Sequence, residues 1–123
     1  MVSQIKSALV AMVVASQAIF TLSAQEVKFH HEATDTARIT AILINEAGMP
    51  SPGSVTRIAG QFVGTPYAGG TLEGDSIETL RVNLDSLDCT TYVETVLALA
   101  YTAAEHRSSW RDFTYNLRRI RYR

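Results

Sequence analysis

The chain has 123 residues, of which 46% are hydrophobic and 19% are charged, and its formal net charge is −1 at pH 7. These values are typical of one small globular domain and argue against nucleic-acid binding. The arginines that accumulate between Arg107 and Arg123 are interpreted as the solvated, cationic face of a C-terminal helix. A single cysteine allows no internal disulfide, so packing alone must stabilise the fold.

The N-terminal segment has the composition of a targeting sequence. Lys6 supplies a positive charge, residues 8–20 are mostly apolar, and small residues precede Gln25. This pattern predicts a secretory signal peptide over residues 1–24. A membrane anchor is the alternative, but the apolar run is shorter than the roughly 20 residues that a span requires. We therefore expect an exported protein of the periplasm or cell envelope, without a stable membrane anchor after cleavage.

Residues 25–53 are predicted to form an N-terminal helical region. The first part, residues 25–33, is polar, and we expect it to be loosely ordered. His30 and His31 are predicted to lie on the surface. Adjacent side chains on a helix point about 100° apart, so the two histidines make a poor metal pair by spacing. A helix is predicted to begin at Thr34 or Asp35, either of which can be its N-cap, and to end at Gly48, which is followed by prolines.

The middle of the chain contains a glycine-rich loop. Ser54 is predicted to cap a second helix, which ends at Gly64. Residues 64–74 follow as a loop, because they include four glycines and one proline. Tyr67 stands in this loop among residues too small to bury it. Two interpretations remain open here: an incidental tyrosine in a turn, or the wall of a substrate cleft that carries a hydroxyl group.

The second half of the chain predicts one strand and two helices. Alternating apolar and polar residues predict a strand over residues 78–84, and helical spacing of apolar residues predicts a helix over residues 87–105. Ser109 is predicted to cap a last helix, with Asp112 completing a capping box. The apolar stripe of this last helix consists of Trp110, Phe113, Leu117 and Ile120.

Cys89 stands where the strand pattern gives way to the helical pattern, which places its thiol in or near the first turn of a helix. A helix N-terminus carries a partial positive charge and unpaired N–H groups. Both favour the thiolate, which is the nucleophilic form of cysteine. The alternatives are a small buried side chain, or an unpaired thiol that forms an intermolecular disulfide. Position alone does not decide between these interpretations.

Three motifs between residues 54 and 123 resemble one known family in order and spacing. They are Gly64-x-Pro66-Tyr67-x-x-Gly70-Thr71-Leu72-Glu73, Leu87-Asp88-Cys89-Thr90-Thr91-Tyr92-Val93-Glu94 and Ile120-Arg121-Tyr122-Arg123. The family is the N-acetylmuramoyl-L-alanine amidase-like domain of unknown function 1460, in the NlpC/P60 group of papain-like cell-wall hydrolases. The resemblance implies an α+β fold with helices on a small antiparallel sheet, in which residues 54–123 form only the N-terminal part of the domain.

The resemblance also implies roles for individual residues. Cys89 matches the catalytic cysteine, and Tyr67 and Asp88 match residues of a substrate cleft that can meet the ammonium group of a peptide stem. Thr90 and Glu73 are weaker candidates for substrate binding. The implied reaction is acyl transfer, in which the Cys89 thiolate attacks an amide of a stem in peptidoglycan or a muropeptide. No metal and no other cofactor is implied.

The implied reaction needs a histidine base, which in the family follows the Arg-Tyr-Arg segment together with its orienting partner. His106 lies 17 residues beyond Cys89 on the same predicted helix, which corresponds to about 25 Å. We therefore expect a cysteine amidase or peptidase domain that is truncated before its base and is inactive alone. The alternatives are a non-catalytic peptidoglycan-binding or inactive truncated envelope protein, and a secreted helical domain with a buried cysteine.

Overall fold

The computed structural model describes residues 26–48, 51–72 and 79–122. The predicted signal peptide and Glu73 lie outside the described residues. Within them, the α+β architecture contains four helices and two short strands. In chain order these are β1 (Val27–Phe29), α1 (Glu32–Ala47), α2 (Ser54–Gly60), β2 (Leu80–Val82), α3 (Cys89–Ala104) and α4 (Trp110–Arg121).

The described strands form a two-stranded parallel sheet, in which Val27 pairs with Leu80 and Phe29 pairs with Val82. The expectation of a loosely ordered segment over residues 25–33 is wrong, because β1 lies within it. The expected antiparallel arrangement is not found among the described strands. The chain between β1 and β2 runs through α1 and α2, and a helical crossover of this kind joins strands that point the same way.

The start of α1 differs from its prediction. The helix begins at Glu32, and the N-cap is His31, whose side chain makes no capping hydrogen bond. Asp35, which was expected to be a cap residue, lies inside the helix. Its carboxylate accepts a hydrogen bond from the backbone N–H of His31 at 3.0 Å. A carboxylate in the first turn can satisfy the cap N–H from within the helix. The predicted end at Gly48 is confirmed, since Gly48 is the C-cap.

Helix α4 begins where its predicted cap places it, since Ser109 is the N-cap and accepts a hydrogen bond from the Arg111 backbone N–H. Helix α3 begins at Cys89, after the predicted start at residue 87, and its N-cap is Asp88, which the sequence had suggested only as a residue of the substrate cleft. The capping box expected from Ser109 and Asp112 is not observed, because the Asp112 carboxylate instead accepts a hydrogen bond from Arg107 at 3.2 Å. The stripe of α4 also faces the core as predicted: Phe113 and Leu117 are buried, and Trp110 and Ile120 pack against the core at its margin.

Helix α3 lies at the centre of the fold and packs against α1, α2 and α4. Fully buried apolar side chains come from β2 and from all four helices: Ile39, Leu43, Ile58, Leu80, Leu99 and Phe113. Each such side chain contributes about 1.5–3 kcal/mol when it leaves water. No helix among the described residues combines the length and hydropathy that a bilayer span would need.

The central position of α3 predicts how substitutions on its two faces differ. Leu99→Ala leaves a cavity beneath a fully buried side chain, and we expect it to lower the free energy of unfolding by about 2–5 kcal/mol. Val93→Ala lies on the same helix at a side chain that is 52% exposed, and its effect should stay within about 0.5 kcal/mol. Urea unfolding followed by circular dichroism measures both. Equal losses would contradict the assignment of the buried face.

Candidate active site

Cys89 is the first residue of α3, and its thiol is free and exposed. The prediction that the thiol lies in the first helical turn is confirmed. The alternative of a buried cysteine is wrong for this structure, because the side chain is open to solvent. The position is suited to nucleophilic chemistry, since the partial positive charge of a helix N-terminus stabilises a nearby anion.

A reciprocal capping box fixes the start of α3. The Asp88 carboxylate accepts hydrogen bonds from the Thr91 backbone N–H at 2.7 Å and from the Thr91 hydroxyl at 2.9 Å. The Asp88 backbone N–H donates to the Thr91 hydroxyl oxygen at 2.9 Å. These bonds from Thr91, first from its N–H and then from its hydroxyl, hold the pKa of Asp88 below its ordinary value. Asp88 is therefore ionised at neutral pH, and it orients the turn that carries Cys89.

The glycine-rich loop reaches the cysteine through backbone pairing. Tyr67 and Leu87 form an isolated parallel bridge. The Leu87 N–H donates to the Pro66 carbonyl at 3.0 Å, and the Ala68 N–H donates to the Leu87 carbonyl at 3.2 Å. The Tyr67 side chain remains 77% exposed. Backbone pairing with Leu87, the residue before Asp88, therefore holds Tyr67 near the start of α3, although the Tyr67 side chain itself is not buried.

These residues line one open depression, which we call the Cys89 cleft. Its volume is about 330 Å³, and its lining residues are Phe62, Val63, Thr65, Tyr67, Leu87, Asp88, Cys89 and Tyr92. The structure therefore brings together three of the site residues expected from sequence: Tyr67, Asp88 and Cys89. Thr90 is exposed on the first turn of α3 and is not among the lining residues. The expectation for Glu73 falls outside the described residues.

The rear wall of the cleft is held by residues that the sequence analysis did not single out. The Tyr92 hydroxyl donates to the Ala59 carbonyl at 2.9 Å, and the Tyr92 ring meets the Phe62 ring edge-on. The Arg38 guanidinium lies 4.7 Å from the centre of the Phe62 ring and donates to the Leu84 carbonyl. Tyr92 stood within the cysteine motif, but its contact with α2 spans 33 residues and has no local signal.

Arg121 departs from the expected solvated arginine face. Its side chain is only 7% exposed and forms an ion pair with Glu94, which is 13% exposed, at 3.2 Å. It also donates to the Arg81 carbonyl at 2.6 Å. The pair therefore joins the end of α4 to the second turn of α3 and to β2. Both residues lie in the motifs quoted above, so the motif resemblance was the feature of the sequence that could have identified them.

The described histidines are not placed as partners of Cys89 along α3. His106 follows the C-terminal end of this 16-residue helix, about 25 Å from its start by the helical rise. His30 and His31 are exposed, as predicted, and contact Asp85. The premise that they are helical neighbours is wrong, because the backbone of His31 is extended and helix α1 starts after it.

A larger groove of about 470 Å³ lies between residues 51–55 and the side of α3 that carries Leu97 and Tyr101. Its walls are mainly apolar, and no cysteine, histidine or carboxylate belongs to its lining residues. The groups that can perform acyl transfer therefore lie in the Cys89 cleft and not in this groove.

A family model described as N-acetylmuramoyl-L-alanine amidase-like matches residues 57–123. The matched region contains the glycine-rich loop, β2, α3, α4 and every lining residue of the Cys89 cleft. It includes neither β1 nor α1. No curated protein and no solved structure matches the chain.

The capping box predicts that removing the hydrogen-bond acceptor of Asp88 and removing only its charge will affect stability differently. Asp88→Ala removes the acceptor for two hydrogen bonds and should lower the thermal midpoint at neutral pH. Asp88→Asn keeps an acceptor that suits an N-cap and should retain most of the stability. Because the pKa of Asp88 is lowered on folding, its charge contributes above the unfolded value of about 3.9 and this contribution disappears as the pH falls through the folded value.

Thermal unfolding at several pH values between neutrality and strong acid measures both effects. The midpoint of the parent chain should approach that of Asp88→Ala as the carboxylate becomes protonated. Equal damage from Asp88→Asn and Asp88→Ala at neutral pH would contradict the capping role.

Proposed function

The chain belongs to the N-acetylmuramoyl-L-alanine amidase-like family, and on that premise we propose that it is an exported cysteine hydrolase of bacterial peptidoglycan. The family supports a peptidoglycan amidase-like function and an envelope location. The finer proposal assigns it to the NlpC/P60 type and gives it the peptide stem as substrate. The observation that carries it is the exposed Cys89 thiol at the N-terminus of α3, in one cleft with Tyr67 and Asp88.

The proposed reaction is acyl transfer through Cys89. The thiolate attacks the carbonyl carbon of a stem amide, so a carbon–sulfur bond forms and the carbon–nitrogen bond breaks. The amine leaves with a proton, and water then hydrolyses the thioester to restore the thiol. The backbone N–H of Cys89, at the helix N-terminus, supplies a hydrogen bond to the oxyanion that develops on the carbonyl oxygen.

Tyr67 and Asp88 are proposed to position the stem. The exposed Tyr67 ring offers an apolar wall and a hydroxyl group at the mouth of the cleft. The ionised Asp88 carboxylate attracts the ammonium group of a stem while it caps α3. Thr90 and Glu73 remain weaker candidates for contacts with the substrate.

The proton acceptor for the thiol is the remaining requirement of this chemistry. His106 lies at the far end of α3, and His31 directs Nδ1 to Asp85 at 2.6 Å. The proposal therefore assigns no described histidine as the base, and we expect the 123-residue chain alone to bind stems without turnover. This placement of the histidines favours a second candidate function, which is non-catalytic binding of peptidoglycan in the cell envelope.

Occupation of the cleft can be measured through the cysteine itself. A muropeptide at about ten times its dissociation constant should slow alkylation of Cys89 by iodoacetamide about tenfold, because only the unoccupied fraction reacts. Tyr67→Ala should weaken this protection, whereas Tyr101→Ala, at a tyrosine that is 58% exposed outside the cleft, should leave it unchanged. Absence of protection at any muropeptide concentration would contradict both candidate functions.

Stem release then separates the two candidates. Peptidoglycan incubated with the chain is analysed by mass spectrometry for free stems, with Cys89→Ala as the control. Release that Cys89→Ala abolishes identifies an amidase and refutes the expected inactivity of the chain alone. Binding without release, equal in the parent and Cys89→Ala, identifies the binding protein.

A further inference from the structure

Three potential metal ligands converge at the exposed ends of the two strands. His30, His31 and Asp85, which we call the His–Asp cluster, each offer one ligand atom, and these atoms all lie within 4.8 Å of one another. The His31 Nδ1 atom is 2.6 Å from Asp85 Oδ2, and the His30 Nε2 atom is 3.8 Å from the same oxygen. The imidazole rings of the histidines meet edge-on with their centres 4.4 Å apart.

The fold itself brings these residues together. Because β1 and β2 are parallel, their carboxyl ends lie at the same edge of the sheet. The His30 N–H donates to the Val82 carbonyl at 2.8 Å, which extends the pairing to the cluster. Beyond β2, the Asn83 side chain accepts hydrogen bonds from the N–H groups of Asp85 and Ser86 and turns the chain back toward the histidines.

The backbone beside the cluster is also held in place. The Asp35 carboxylate accepts the His31 N–H at 3.0 Å and lies almost fully buried in the first turn of α1. The backbone of His31 is therefore fixed while its side chain stays exposed. Ligands on a constrained backbone lose less conformational freedom when they bind an ion, which favours binding over a flexible pair of surface histidines.

The donor set is that of a transition-metal site. Two imidazole nitrogens and one carboxylate oxygen bind Zn²⁺ at about 2.0–2.2 Å, so ligand atoms in a tetrahedral shell lie roughly 3.3 Å apart. The observed separations of 2.6 and 3.8 Å fall on either side of this value. Small side-chain rotations can therefore place all three atoms on one ion. Since the cluster is exposed, water can complete the shell.

We propose that the His–Asp cluster binds a divalent metal ion and that this ion is Zn²⁺. The site is separate from the proposed hydrolase chemistry, because the two histidines precede the residues that match the family model. A bound ion would tie the junction of β1 and α1 to the segment that leads from β2 to Asp88. The site is thus structural in this proposal, and no step at Cys89 depends on the ion.

Isothermal titration of the full chain with zinc chloride alone tests the proposal. We expect one ion to bind, and His30→Ala and Asp85→Asn each to weaken the affinity at least about tenfold. His106→Asn removes the histidine outside the cluster and suits the positive φ of 58° at that position. Asp112→Asn removes a carboxylate that pairs with Arg107. Both control variants should bind zinc as the parent does.

Two further measurements keep the result interpretable. Zinc should raise the thermal midpoint of the parent, His106→Asn and Asp112→Asn, and the metal-free midpoints show that the cluster variants are folded. Cys89→Ala should retain the zinc affinity, because the thiol is not a ligand. Loss of binding in Cys89→Ala, equal affinities in Asp85→Asn and Asp112→Asn, or no stoichiometric binding to the folded parent would each overturn the proposal and leave His31 and Asp85 as a hydrogen-bonded surface pair.

Discussion

The structure depends on the burial of helix α3 between the other helices. Leu99 and Ala103 are fully buried, and Ala98 lies beside them in the core. Because these contacts fix the axis of α3, they also fix the point in space at which the helix begins. Cys89 occupies that point, so the position of the thiol follows from packing that takes place two to four turns further along the helix.

Hydrogen bonds at both ends of α3 fix its position in addition to the packing of the apolar core. At its start, Thr91 is almost fully buried. Its backbone N–H donates to the Asp88 carboxylate, and its hydroxyl oxygen accepts a hydrogen bond from the Asp88 backbone N–H. Near its other end, the buried Asn116 amide of α4 donates to the Thr102 hydroxyl at 2.9 Å and to the Glu105 carboxylate at 2.8 Å. Among the described residues, every buried side-chain nitrogen or oxygen has a partner. An unpaired buried group would weaken this small core, so the polar pairing selects one arrangement of α3 and α4.

The short connector over residues 83–88 links the two sites. It begins with the Asn83 turn, which places Asp85 beside the histidines, and it ends with Asp88, which caps α3. Between them, Leu87 is buried and pairs with the glycine-rich loop at Pro66 and Ala68. One connector therefore sets the position of both the His–Asp cluster and the Cys89 cleft. A change in its backbone would move both sites at once, which gives this segment little freedom to vary in length.

Local patterns in the sequence were sufficient to locate the main helices and the reactive residue. The N-cap at Ser109, the apolar stripe of α4 and the first-turn position of Cys89 all depend on residues within a few positions of one another. Short-range hydrogen bonds and helical periodicity encode such features directly. The motif resemblance added the grouping of Tyr67 with Asp88 and Cys89, which local patterns alone could not provide.

Only the tertiary structure decided the contacts between distant segments. The parallel pairing of β1 with β2 joins residues 53 positions apart, such as Val27 and Leu80, and the contact between His31 and Asp85 spans 54 positions. The burial of Arg121 against Glu94 likewise spans 27 residues. No local pattern distinguishes a polar segment that remains a loop from one that adds a strand. A polar segment forms a strand only when the folded core has an unpaired strand edge beside it, and here the edge of β2 pairs with β1.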